Sequence, residues 1–184
     1  MTIRARSLLL VAASLCVASP TFAEIKKGDK LQTIANLHPD MQRHVLYTLN
    51  YQLPGLIPVC SEVTFVKASK KAAVFEYKGQ EFEVAYEGFT KGAGVEFQQA
   101  LESIYFGKAC DKAKMEKLSK IDQEGIKSGQ PKVGMTRDGV LFAMGRPPFH
   151  ANPDLTSSEW RYWRNRFSQM VVRFGDDGKV TEIR

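Results

Sequence analysis

The sequence predicts an α+β fold of two small subdomains, each an antiparallel β-meander packed with a helix. Residues 61–88 hold three β-rich runs separated by short polar turns, and residues 93–107 change to a helical period. After a lysine-rich segment, a second helical pattern is followed by three further β-rich runs. Strands and helix therefore occur in both halves of the chain.

The first 23 residues have the pattern of a secretory signal peptide. Arg4 and Arg6 precede an apolar run from Leu8 to Ala18, and Ala23 is a small residue that suits cleavage immediately after it. The apolar run is too short to cross a bilayer as a helix of the mature protein. The sequence therefore predicts export to the periplasm.

Cys16 raises the alternative of a lipoprotein, since lipidation needs a cysteine at the end of the apolar segment. Leu15 stands where lipoproteins have a small residue, which argues against a lipid anchor.

No later segment is long and apolar enough to predict a transmembrane helix. The formal net charge of +6 falls to +4 without Arg4 and Arg6, an excess compatible with peripheral membrane association but too small to indicate a nucleic-acid binder.

Two cysteines remain after removal of the leader, Cys60 and Cys110. In an exported chain the expected state is a disulfide, which would close the first subdomain, residues 24–110. A reactive thiol or a metal-binding pair is the alternative, although no local C-x-x-C or Cys-His cluster supports either.

Residues 111–129 are lysine-rich and poor in apolar residues, so they are expected to form a linker rather than a binding tail.

In the first subdomain, Lys78-Gly79 is predicted to be a two-residue turn. That turn places Tyr77 opposite Gln80 and Phe75 opposite Phe82, and the aromatic residues then share one face of the sheet. The glutamates between them take the other face.

In the second subdomain, residues 130–184, Thr136 can cap a short helix that ends at Gly145. A loop and a strand from Trp160 to Phe167 follow. The turn from Gly175 to Gly178 then joins two β-branched runs into a hairpin.

This half also carries five short motifs in order: Gly134-Met135-Thr136, Gly145-Arg146-Pro147, Trp160 with Tyr162, Val172 with Phe174, and Lys179-Val180 with Ile183. Together they resemble the SmpA/OmlA family of small outer-membrane lipoproteins, accessory subunits of the barrel-assembly machinery. The resemblance covers residues 126–184 and implies a helix-plus-three-strand module, similar to β-lactamase-inhibitor-type repeats, with a non-catalytic, protein-contacting role. Unlike those lipoproteins, this chain has no lipobox and carries an additional half.

The stretch from Glu159 to Phe167 interleaves aromatic residues with arginines. The simplest interpretation is a core strand in which Trp160 and Tyr162 face the helix. The alternative is a protein or glycan contact, because Trp, Tyr and Arg dominate interface hot spots. The candidate interaction surface comprises Arg146, Phe149, His150, Arg161, Trp163, Arg164, Arg166 and Arg173.

No pattern in the sequence indicates catalysis. His38, His44 and His150 are far apart, and no nucleophile-elbow, zinc-protease or phosphate-loop motif occurs. We therefore expect no enzyme activity, no cofactor and no metal.

The leading hypothesis is a periplasmic accessory or scaffold that contacts another envelope protein, with a link to outer-membrane assembly implied by the resemblance. The alternative is an inhibitor or binding module for a secreted or cell-wall enzyme or ligand. In that case Phe149 and His150 would lie near the tip of an anchoring loop.

Overall fold

A computed structural model describes residues 24–86 and 96–184, and its fold is α+β. The first half is built on a curled six-stranded sheet in the order β2-β5-β4-β3-β1-β6, antiparallel except for the β2–β5 pair. Its strands are β1 (Lys30–Thr33), β2 (Val45–Tyr47), β3 (Glu62–Ala68), β4 (Ala73–Tyr77), β5 (Gln80–Ala85) and β6 (Phe106–Gly107).

The predicted register of the β4–β5 hairpin is confirmed. Tyr77 pairs with Gln80, and Phe75 pairs with Phe82. The turn residues Lys78 and Gly79 both have positive φ, 51° and 79°, as the favoured two-residue hairpin turn requires. A local turn therefore sets which residues of the meander face inward.

Aromatic rings fill the core beneath this sheet. Phe75 stacks on Phe82 with ring centroids 5.4 Å apart, and Phe106 packs edge-on against Phe65 at 5.0 Å. All four side chains are buried, whereas Glu76, on the opposite face of β4, is exposed. Alternation along the strands thus produces one buried and one wet face, as expected for a half-buried antiparallel sheet.

The helix predicted for residues 93–107 is shorter in the structure. Helix α1 (Phe97–Ala100) continues as a π-helical turn (Leu101–Tyr105), and the chain then enters β6. The helical pattern predicts that Gly107 lies just past the end of the helix, and the helical turn does end at Tyr105; residues 106–107, however, are extended and pair with β1, so Gly107 does not form a left-handed cap. Pairing satisfies their backbone groups and places the Phe106 ring in the core. Residues 93–95 lie outside the described residues.

Cys60 and Cys110 form the predicted pair, with their Cα atoms 5.2 Å apart. The bond ties the chain after β6 to the chain before β3. The Cys110 N–H also donates a hydrogen bond to Gln32 Oε1 in β1 (2.8 Å). These contacts fix the far edge of the six-stranded sheet.

Residues 111–129, expected to be a linker, contain helices α2 (Lys112–Glu116) and α3 (Lys120–Ser128). Ser119 and Asp122 form a complete capping box at the start of α3, which lowers the cost of helix formation in a segment with few apolar residues. Ile126 is buried in the second core. Asp122 also accepts hydrogen bonds from the backbone and hydroxyl of Thr136 (2.7 and 3.1 Å), so α3 is fixed to the next helix.

The second half follows the predicted order. Thr136 caps α4 (Arg137–Met144) by accepting from the Gly139 N–H, and the helix ends at Gly145. A three-stranded antiparallel sheet follows in the order β7-β8-β9, with the predicted Gly175–Gly178 turn between the last two strands. Its strands are β7 (Glu159–Asn165), β8 (Ser168–Phe174) and β9 (Val180–Ile183).

Trp160 and Tyr162 both lie in the core, as predicted, with 0% exposure. The Trp160 ring packs edge-on against Phe174 (4.6 Å between centroids). The Tyr162 hydroxyl donates to Gly145 O (2.9 Å), which joins β7 to the end of α4. The inner face of β7 is therefore structural.

Buried polar side chains connect the two halves. Asn36 Nδ2 donates to Ile126 O (2.7 Å) and to Ala143 O (3.2 Å), and Asn50 Nδ2 donates to the carbonyls of Met144 (2.8 Å) and Arg146 (2.9 Å). These amides bind carbonyls near the C-terminal end of α3, at the end of α4 and in the loop that follows α4. We call this group of contacts the polar seam.

Across the ranges that the structure describes, no helix is long and apolar enough to cross a membrane.

Candidate interaction surface

The outer face of the three-stranded sheet carries the alternate residues of β7. Glu159 pairs with Arg173, Arg161 with Val171, and Trp163 with Gln169. Because Trp160 and Tyr162 point inward, these residues project away from the core. We define the outer sheet face by Glu159, Arg161, Trp163, Gln169, Val171, Arg173, Glu182 and Arg184.

Trp163 forms a partly covered aromatic pair on this face. The His150 ring lies 5.0 Å from the Trp163 ring, with their planes tilted by 39°. His150 is exposed, and Trp163 is half-buried. Partial burial lowers the pKa of His150, so its imidazole is mainly neutral at pH 7. The pair offers an aromatic surface whose two members come from different segments of the chain.

The loop that carries His150 is held along the free edge of β7. Asn152 Nδ2 donates to Arg161 O (2.9 Å), and Asn152 Oδ1 accepts from the Arg161 N–H (2.8 Å). The side-chain amide thus takes the place of a neighbouring strand. Two residues further along the same edge of β7, the Gln52 N–H donates to Trp163 O (2.7 Å). These bonds cover the strand edge and fix the position of Trp163.

Arg173 lies on the outer sheet face but is engaged by carboxylates. Its Nη2 contacts Glu159 Oε1 at 2.6 Å, and its Nη1 contacts Glu182 Oε2 at 3.0 Å. Arg184 Nη2 also approaches Glu159 Oε1 at 3.2 Å. Hydrogen bonding to Arg173, reinforced by the nearby arginines, lowers the pKa of Glu159. Arg173 therefore contributes little free positive charge.

Arg161 remains exposed beside this network, and it makes no ion pair with any residue in the described ranges. Arg164 and Arg166 are also exposed, but they lie at the β7–β8 tip, where Arg166 and Phe167 form the turn. Phe167 is 89% exposed. The four arginines of β7 and β8 and their turn in the predicted surface therefore divide into two groups. Arg161 and Arg173 lie on the outer sheet face, and Arg164 and Arg166 lie at the hairpin tip.

Arg146 and Phe149 are turned inward. The Arg146 guanidinium lies 3.9 Å from the centroid of the Phe149 ring, a cation–π contact. Phe149 is half-buried and packs against the core of the first half. Of the two proposed loop anchors, only His150 is presented to solvent. Arg146 lines a cleft between the halves instead.

Several residues of the surface were not identified from the sequence. A β-bulge between Trp163 and Asn165 shifts the register, so that Trp163 meets Gln169. If residues were paired one by one outward from the Arg166-Phe167 turn, the bulge would not be predicted and Trp163 would be assigned another partner. Glu159, Glu182 and Arg184 were also missed, because their network depends on the observed register of all three strands.

Within residues 24–86 and 96–184, no three His, Cys, Asp or Glu side chains are grouped so that they could hold a metal ion. No protein-family model, curated protein or solved structure matches this chain, so the resemblance to the SmpA/OmlA family stays a prediction from the motifs alone.

Proposed function

We propose that this chain is an exported, non-catalytic periplasmic protein that acts as an accessory or scaffold by binding another envelope protein. The contact would be made by the outer sheet face together with His150. The observation that carries this proposal is the partly exposed Trp163–His150 pair beside Arg161, which makes no ion pair within the described residues. Tryptophan and arginine are among the residues most enriched at the energetic centres of protein interfaces.

The rigidity of the surface supports this proposal. Trp163 is held by its strand and by Gln52, and the loop bearing His150 is fixed through Asn152. A side chain that is already ordered loses less conformational entropy on binding than a mobile one. The glutamates that pair with Arg173 leave Arg161 as the cation next to the aromatic pair. This arrangement fits a partner with an acidic rim and an apolar centre.

The envelope setting is drawn from the leader pattern and from the resemblance of residues 126–184 to SmpA/OmlA proteins. A role near outer-membrane assembly is the finer form of the proposal. The inhibitor alternative is less well supported, because Phe149 is packed inside and the loop lies along β7.

A site-specific photo-crosslinking experiment tests the surface. A photoreactive residue at Gln169, which lies opposite Trp163, should capture a discrete envelope protein in intact cells. The same residue at Glu76, exposed on the other sheet, is the matched control and should capture much less. Equal capture at both positions would contradict the proposal.

Substitutions provide a second test in the same cells. The double variant Arg161→Ala, Trp163→Ala should abolish the crosslink from Gln169. The double variant Arg166→Ala, Phe167→Ala removes an arginine and an aromatic ring from the hairpin tip, and it should leave the crosslink intact. Loss in the tip variant alone would overturn the assignment to the outer sheet face. Thermal unfolding of both purified variants checks that each is folded.

Export is tested separately by the intact mass of the protein purified from its native host. We expect a chain that begins at Glu24 and contains no free thiol. A mass that includes the first 23 residues would contradict export and would leave the surface experiment unaffected.

A further inference from the structure

A cleft of about 220 Å³ lies between the two halves, away from the outer sheet face. The segment after β1 and the π-helical turn form one wall, and α4 and the following loop form the other. Its lining is mainly apolar and includes Ile34, Ile104, Leu141 and Leu155. Concave sites with apolar walls and few polar groups are the usual form of small-molecule sites.

Three charged side chains border this cleft, and only one of them is unpaired. Lys114 Nζ and Asp138 Oδ1 are 2.9 Å apart, so these two charges neutralise each other. Arg146 makes no ion pair within the part of the chain that the structure describes. Asp154 interacts electrostatically with Arg146 but forms no ion pair with it and does not line the cleft, so the lining residues carry a net charge of +1.

The hydrogen bonds of Arg146 are incomplete. Its Nη2 makes two long contacts, to Asn152 O (3.3 Å) and Pro153 O (3.4 Å), and its Nε is buried without an acceptor among the described residues. Burial lowers the pKa of Arg146, although the group stays protonated at neutral pH. A guanidinium that is partly removed from water and has no carboxylate at ion-pair distance gains more from an anionic partner than an exposed one does.

The volume limits the size of that partner. An apolar cavity of about 150 Å³ accommodates benzene, whose ring has six carbon atoms, so a cleft of this size accommodates roughly nine non-hydrogen atoms. The apolar lining favours a hydrocarbon body, and the single unpaired cation favours one negative charge.

We propose that this cleft binds a small monocarboxylate with an apolar body, with its carboxylate on the Arg146 guanidinium and its hydrocarbon part between the π-helical turn and α4. The proposal does not depend on the outer sheet face, because Arg146 is the only member of the candidate interaction surface among the residues that line the cleft.

Benzoate, with nine non-hydrogen atoms, is the test ligand, and benzamide is its neutral counterpart of the same shape. In a titration followed by ¹H–¹⁵N correlation spectra of the purified protein, benzoate should produce saturable shifts at amides near Ala35, Ile104 and Leu141. We expect a Kd of about 1 mM or tighter. Benzamide should bind about tenfold more weakly, because it cannot form the charge-assisted contact. If benzoate and benzamide bind the wild-type protein with equal affinity, or if the benzoate-induced shifts do not saturate, the proposal is overturned.

Variants locate the site. Arg146→Gln should weaken benzoate binding by about tenfold, whereas Arg166→Gln, a change of the same type at the exposed hairpin tip, should have no effect. Ser103→Leu places a larger side chain in the lining and should block both ligands. Unchanged binding in a folded Arg146→Gln protein, or in Ser103→Leu, would show that the anion binds elsewhere.

Discussion

The two sheets bury one face each by the same alternation, but they expose different outer faces. On the six-stranded sheet, Glu76 lies directly opposite Glu81, and Glu83 follows on the same side. Like charges opposite each other are mildly destabilising, and full solvation keeps that cost small. On the three-stranded sheet, the outer face holds Trp163 and Arg161 beside an ion-pair network. The first face carries solvated carboxylates, whereas the second combines a half-buried aromatic ring with arginines and ion pairs.

The same contrast occurs within one strand. Trp160 and Trp163 are both in β7, yet Trp160 is fully buried and Trp163 is half-exposed on the opposite side. The two residues have the same chemistry, and their difference comes only from the period of the strand and from what covers each face. The following predictions test how far that difference extends.

The largest effect should come from Trp160→Ala. This change removes a packed ring and the hydrogen bond from Nε1 to Leu155 O (3.2 Å), and it should lower the free energy of unfolding by about 3–5 kcal/mol. Trp163→Ala is the matched control in the same strand and should cost less than about 1 kcal/mol. Urea unfolding followed by circular dichroism measures both. Similar losses would mean that Trp163 is a core residue and not part of a contact surface.

The double variant Cys60→Ser, Cys110→Ser should destabilise the protein by about 2–4 kcal/mol, because the bond closes a long loop, with a sequence separation of 50. Both tryptophans lie in the second half, so fluorescence reports on that half. We expect the fluorescence and circular dichroism transitions to shift together, since the polar seam joins the halves. A shift confined to circular dichroism would show that the halves unfold independently.

Asn36→Ala should cost about 2 kcal/mol, because it leaves the Val59 N–H and the Ile126 carbonyl without a side-chain partner and removes one of the two side-chain contacts of the Ala143 carbonyl. The exposed Asn165, which accepts two hydrogen bonds within the hairpin turn, is the control, and its replacement by alanine should cost less. Chemical denaturation of the two variants makes the comparison. Equal effects would argue against a strong seam between the halves.

A smaller, pH-dependent effect is expected from His38, whose Nε2 lies 3.2 Å from Ala143 O beside the polar seam. Burial lowers the pKa of His38 below its ordinary value of 6.5, although the carbonyls of Ala143 and Leu53 oppose the shift. The unfolded chain therefore binds more protons in acid, and the stability that is present above about pH 6.5 is lost as the pH falls below it. His38→Gln should reduce this loss more than His150→Gln does, because His150 is exposed. Thermal unfolding between pH 5 and pH 8 provides the measurement, and equal slopes in the wild type and His38→Gln would contradict the assignment.

Local signals were enough to predict several parts of the fold. Lys78-Gly79 sets the hairpin register, and Thr136 caps α4, because both effects act over a few residues. The Cys60–Cys110 pair followed from the number of cysteines that remain after removal of the leader. Helix α3 was missed although its Ser119–Asp122 capping box is a local signal, because the segment has few apolar residues and is held by distant contacts: Ile126 packs in the second core, and Asp122 accepts hydrogen bonds from Thr136 fourteen positions later.

The candidate surface was predicted only in part. Arg161, Trp163 and Arg173 do share one sheet face, since strand alternation places them there. Arg146 and Phe149 do not project from that face, because their positions depend on how the loop after α4 packs against the first half. The carboxylates that neutralise Arg173 come from two other strand positions, and no local pattern connects them.

The sequence by itself determined which faces of β4, β5 and β7 are buried, where the main turn and the α4 cap lie, and which cysteines pair. These features depend on neighbouring residues or on very few candidates. Only the tertiary structure decided the polar seam, the bulge beside Trp163 and the position of Arg146 in the cleft. Each of these depends on hydrogen bonds or packing between distant segments, whose partners cannot be chosen from local periodicity.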